Sequence, residues 1–74
     1  MQKHSVMIFG HSTSFSLETE FWQELKNMAA REKITIASLI ERIDQTRTGH
    51  LSSAIRLYIL RSLKQEITDN KQSQ

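Results

Sequence analysis

The clearest pattern in the chain is an alternation. Residues 13–17, Thr-Ser-Phe-Ser-Leu, place Phe15 and Leu17 on one side and Ser14 and Ser16 on the other. Strand side chains alternate with period two, so this predicts a strand over about residues 12–17 with one apolar face and one small, hydroxylic face. Upstream, Val6, Met7, Ile8 and Phe9 are apolar on both sides and make residues 5–9 a second strand candidate. Residues 1–5 are polar and are expected to fray. Gly10-His11 suits the centre of a tight turn, glycine supplying a positive φ. Two arrangements fit. Residues 5–9 fold back on 12–17 as a hairpin, or both pieces form one long strand bent at Gly10. A lone half-buried strand needs a partner, and the same strand of a second copy is the nearest one. The residues leave both arrangements open, with a lean towards the extended, dimer-paired one.

Behind this stretch the period changes. Phe21, Trp22, Leu25, Met28 and Ala29 recur at helical spacing, which predicts a helix over about 19–33. Thr19 is its expected N-cap, and Glu18 and Glu20 complement the dipole. Phe21, Leu25 and Met28 are its expected core residues, with Trp22 at the core edge or a dimer interface. A second helix over 35–46 is capped by Thr35 and carries Ile36, Leu39, Ile40 and Ile43. The polar run 46–50 reads as a loop. A third helix over 52–67, capped by Ser52 or Ser53, offers Leu51, Ile55, Tyr58, Ile59, Leu60 and Leu63 for burial. Residues 1–68 thus form one domain, and the polar stretch 69–74 is expected to be a disordered tail.

Size sharpens the expectation of a second copy. Seventy-four residues without a cysteine have neither a disulfide nor a thiolate metal site to support a small core, which leaves oligomerisation. No apolar run nears the ~20 residues needed to cross a bilayer, and the expected setting is soluble and cytoplasmic, without a membrane. The formal charge is +2, which does not itself argue for nucleic acid. Acids gather at Glu18, Glu20 and Glu24, while bases recur from Lys26 to Lys64 as mostly solvated helix faces. His4, His11 and His50 have no metal-ligand spacing, so no metal or other cofactor is expected. Serine, histidine and aspartate are present, but so short a chain has little room for a cleft with an oxyanion hole. It is expected not to be an enzyme.

Strand, helix, short turn, helix resembles the ribbon-helix-helix fold of Arc, MetJ and CopG-type bacterial regulators. The carriers of the resemblance are Thr-Ser-Phe-Ser-Leu at 13–17, Phe21, Leu25, Met28, Ala29, the turn at 33–35 and Leu39-Ile40. Gly10-His11-Ser12-Thr13-Ser14, Phe21-Trp22 and Leu51-Ser52-Ser53-Ala54-Ile55-Arg56 are similar to a bacterial subgroup in which a third helix follows.

The resemblance implies a mainly helical, intertwined homodimer with an intermolecular antiparallel ribbon. It implies that Ser12, Ser14 and Ser16 face base edges in the major groove of double-stranded DNA. The second-helix N-terminus, at Thr35, Ile36 and Ala37, then grips a phosphate. His11 and Lys33 are further phosphate candidates. The implied function is a sequence-preferring, small bacterial transcriptional or antitoxin-like regulator. Two departures stand out. The family often carries a long basic or amide side chain on the ribbon, where this chain offers serines, and it usually has glycine in the inter-helix turn, where Lys33 stands. An alternative reading is a dimeric protein-interaction or assembly module of the same fold without DNA binding, docking a protein partner through the third helix.

Overall fold

The computed structural model describes residues 1–46 and 49–72, with side chains described through residue 67. Two strands, β1 (Gln2–Ile8) and β2 (His11–Leu17), are followed by α1 (Thr19–Glu32), α2 (Ile36–Thr46) and α3 (Leu51–Gln72). The strands pair antiparallel with each other, from Gln2 opposite Leu17 to Ile8 opposite His11. Of the two arrangements the sequence leaves open, the structure has the hairpin within the chain and not the extended strand towards which the sequence leans. The two-residue connection is Phe9-Gly10, one position earlier than the expected Gly10-His11. Both residues have positive φ, 51° and 77°. That is the backbone of a type I′ turn, whose twist matches that of the flanking strands. The N-terminal polar residues, expected to fray, extend β1 to Gln2 instead.

The hairpin divides the sequence into two rows. His4, Val6 and Ile8 of β1 and Thr13, Phe15 and Leu17 of β2 face the helices; Ile8, Phe15 and Leu17 are buried. Leu25, Met28 and Ala29 of α1, Leu39, Ile40 and Ile43 of α2, and Leu51, Ile55 and Ile59 of α3 complete the core. Phe21, expected in the core, is only half-buried at its margin. His4 stacks on Trp22 with ring centroids 3.8 Å apart and planes 12° from parallel, and Phe15 flanks it at 5.7 Å. Its Nε2 is buried with no hydrogen-bond partner among the described residues.

The helix ends follow local chemistry. Glu18 occupies the N-cap position of α1 without a side-chain cap, so the expected cap Thr19 is instead the first helical residue. Lys33 closes α1 in the left-handed region, φ 59°. Its N–H donates to the Ala30 carbonyl at 3.1 Å, and the Ile34 N–H donates to the Ala29 carbonyl at 3.0 Å. This pair of bonds is a Schellman closure, which satisfies two of the last carbonyls of the helix. Thr35 caps α2 as expected, its Oγ1 accepting the Ser38 N–H at 3.0 Å. α3 begins one residue before the predicted start, so Ser52 and Ser53 lie inside it rather than capping it. It also runs past the predicted end at 67 as far as Gln72. The proposed tail 69–74 therefore overlaps the helix, and its last two residues lie outside the described ones, as do Arg47 and Thr48 of the predicted loop. Leu60 and Leu63, expected to be buried, are 47% and 36% exposed.

Two predictions follow from the backbone and from His4. A non-glycine residue in the left-handed region costs roughly 1 kcal/mol. Lys33→Gly and Phe9→Asn should each stabilise the fold by about 1 kcal/mol, or ~4–8 °C in Tm at fixed protein concentration. Melts followed by circular dichroism check this, and an unchanged midpoint in both variants would contradict the assigned turn geometry. His4→Phe keeps a flat ring against Trp22 and removes an unpartnered buried nitrogen. It should raise stability by about 1 kcal/mol, whereas His4→Ala, which loses the stack, should lower it.

Candidate nucleic-acid interface

The strand alternation that buries Phe15 and Leu17 turns the other row of each strand outward. On β2 this row is Ser12, Ser14 and Ser16, of which Ser12 and Ser14 are exposed and Ser16 is half-buried. The hairpin register adds a neighbour to each: Met7 opposite Ser12, Ser5 opposite Ser14, and Lys3 opposite Ser16. Lys3, Ser5 and Met7 are all exposed. The sequence reading found only serines on this face because it considered β2 alone. The signal it missed was the count from the turn, which sets Lys3 beside Ser16. His11 has the parity of the inward row, opposite Ile8, so it does not share the serine face, although its side chain is exposed at the turn end.

The second candidate group lies at the junction of α1 and α2. Lys33, Thr35 and Ser38 are exposed, and Ile36 and Ala37 are half-buried. The first amides of a helix have no intrahelical partner and lie at the positive end of its dipole. Here the Ser38 amide donates to the Thr35 hydroxyl, which in turn donates to the Ser38 hydroxyl at 3.0 Å. The Ile36 and Ala37 amides remain as the free pair that helix geometry provides. Lys33, in its left-handed turn two residues before the cap, adds a formal positive charge beside them. Such an N-terminus suits an anion. The hairpin is also tied to α2 directly, since the Phe9 N–H donates to Glu41 Oε2 at 3.0 Å.

Charge is distributed unevenly between the hairpin and the helices. Residues 1–17 contain no aspartate or glutamate. On the helices, Arg31 pairs with Glu24 and Glu66, Arg42 with Glu32, and Arg56 with Glu18. Lys3 and Lys33 make no ion pair among the described residues. Glu18, the first acid in the chain, sits where β2 passes into α1 and accepts from Arg56 Nε at 2.9 Å. That hydrogen bond first, and one from its own backbone second, hold its carboxyl below the usual value of 4.5. The sign follows: the folded state gains from this pair at neutral pH and loses the gain as pH falls through the lowered value. Near neutrality the acid that follows β2 in sequence is thus held by an arginine, while Glu41 accepts the Phe9 N–H at the turn.

Among the described residues no group of three metal-ligating side chains comes together. No described helix is long and apolar enough to cross a membrane.

Comparison with known proteins gives one match. The family model of the ribbon-helix-helix domain covers residues 1–63, from the first strand through the first half of α3. Neither a curated protein nor a solved structure matches the chain. The matched span takes in the hairpin, the α1–α2 pair and the start of the third helix, the same elements that build the two candidate groups. This chain belongs to the ribbon-helix-helix domain family.

Proposed function

We propose that this chain is a homodimeric DNA-binding protein that prefers particular sequences and acts as a small transcriptional regulator. The observation that supports the reading most is the outward face of the hairpin: rich in hydroxyls, with no acid on either strand. It is held by a core on its other side, so its side chains are presented without needing a ligand to order them. Serine hydroxyls donate or accept at base edges, and a ribbon of two strands matches the width of a major groove.

The second copy joins along β2. β1 covers one edge of that strand, and among the described residues no other strand pairs with its opposite edge. An antiparallel two-fold centred on Ser14 sets Ser12 beside Ser16 of the partner subunit, so six hydroxyls share the central ribbon. The two α2 N-termini, each with Lys33 and the Ile36 and Ala37 amides, then meet phosphates on either side. Phosphate contacts fix register and base contacts give preference. The symmetric arrangement calls for a roughly palindromic site.

A second reading has its own observation. Leu57, Leu60, Leu63 and Ile67 of α3 are 36–58% exposed. A helix carrying so much uncovered aliphatic surface suits a protein-docking module of the same fold that does not touch DNA.

Salt separates the two readings. Gel shifts of material of known mass on random-sequence duplex should show a dimer complex that weakens steeply between ~50 and ~200 mM salt. No complex at low salt would reject the DNA reading in favour of protein docking. Where binding occurs, Ser14→Ala with Ser16→Ala removes four hydroxyls from the dimer and should cut the preference for a selected site by about fivefold for each hydrogen bond lost, roughly 1 kcal/mol apiece. The dimer mass should be unchanged. Full retention of preference in that double variant would exclude readout by the serine row.

A further inference from the structure

We propose that β1 is a DNA-contacting strand in its own right, and that Lys3 carries its phosphate contact at the rim of the groove. The inference rests on the DNA-binding reading above and extends it to a strand that lies outside the serine row. Three observations converge on it.

The first is register. Lys3 lies directly opposite Ser16, on the same outward row as Ser14 and Ser12. Whatever surface meets the serines therefore also meets Lys3. The second is charge. No carboxylate occupies either strand, Glu18 at the end of β2 is held by Arg56, and Lys3 makes no ion pair among the described residues. By contrast, Arg31, Arg42 and Arg56 are all spent on carboxylates of the same chain. Lys3 is thus a cation on an otherwise uncharged face.

The third is width. Neighbouring strands lie about 4.8 Å apart, so a sheet running β1, β2, partner β2, partner β1 spans ~14 Å between its outer strands. A major groove is about 12 Å wide. The central pair enters, and the outer pair does not. β1 is left at the groove edge, where the sugar-phosphate backbone runs. A lysine there has a four-carbon stem and a compact ammonium, which suits a phosphate oxygen as a point charge. Ser5, next along the row and opposite Ser14, can add a hydroxyl to the same backbone. On this arrangement the serines give preference and Lys3 gives affinity without preference. The long basic side chain that the family often places on its ribbon is supplied here from the neighbouring strand.

The test is the salt slope of binding. Equilibrium binding of the full chain to one duplex is measured across salt for the wild type, Lys3→Gln, Lys3→Arg and Lys64→Gln. Lys64 is an exposed lysine of the distal half of α3 and serves as the control for loss of a charge anywhere. Lys3→Gln removes two phosphate contacts from the dimer, one from each subunit, which lowers the slope of log K against log salt by about 1.8. Lys3→Gln should show that drop and a several-fold loss of affinity that is equal for selected and random duplexes. Lys3→Arg should keep the wild-type slope, and Lys64→Gln should match the wild type. An unchanged slope in Lys3→Gln would overturn the rim contact while leaving the serine readout standing. Equal losses in Lys3→Gln and Lys64→Gln would overturn it too, because the effect would then be one of net charge. A loss confined to the selected duplex would move Lys3 from the rim to the bases and overturn the assignment of a phosphate. If the wild type forms no complex, the DNA reading itself fails, and the rim contact with it. Melting midpoints of the variants keep a folding defect from passing as a lost contact.

Discussion

The pairing of β1 with β2 is the constraint on which the rest of this chain depends. A strand with alternating serines and large apolar residues has one face to bury and two edges to satisfy. The hairpin covers one edge and, through His4, Val6 and Ile8, widens the apolar face laid over the helices. Phe15 and Leu17 then reach burial within a single chain. The outward row becomes a rigid surface for the same reason, since a one-residue slip in register would turn every serine into the core and every apolar residue out. Burial and presentation are one event here.

The turn that enforces this register is strained, and the strain is anchored. Phe9 holds a positive φ that suits asparagine or glycine far better, yet its N–H is fixed by Glu41 of α2 and Gly10 completes the turn. A bulky residue in that region is an outlier that needs compensation from its surroundings. The tie to α2 supplies part of it. It also couples the tip of the hairpin to the helix whose N-terminus is the second candidate contact. Lys33 is the corresponding case in the turn between α1 and α2, where the Schellman bonds and the half-buried Ile34 hold a lysine in a glycine-like conformation.

Much of this was legible in the sequence, and the misses have physical causes. The strand at 13–17, the first two helices and the Thr35 cap were visible because alternation, helical spacing and capping chemistry are all local. β1 was only half visible. Val6, Met7, Ile8 and Phe9 are apolar without alternation, and the polar residues before them looked free because nothing local shows that His4 stacks on Trp22. The turn was placed one residue late because a phenylalanine is a poor marker of positive φ. α3 was read as more buried than it is, since Leu60 and Leu63 match Ile55 and Ile59 in hydrophobicity and differ only in which side of the helix the rest of the chain covers. Among the candidate contacts, the serine row was readable from β2 itself. Lys3 was not, because its place depends on the turn and the register together.

In the proposed dimer, the edge that the second copy uses determines how these contacts combine. Each strand of the hairpin has one edge without a strand neighbour among the described residues. Pairing through β1 would put Lys3 and Met7 at the centre of the joint sheet and the serines at its borders. Two lysines near a symmetry axis repel, and Met7 offers no hydrogen bond to a base edge. Pairing through β2 puts small hydroxyl-bearing residues at the centre, where close approach to base pairs is needed, and moves the cation to the border, where the phosphates are. It also keeps the strand that leads directly into α1 at the dimer axis, so both helix pairs are set by the same two-fold. The chemistry of each row favours the β2 edge. The distribution of side chains on the hairpin then fits the proposed DNA contact as a whole: short donors and acceptors within, a long cation without, and no acid on either strand.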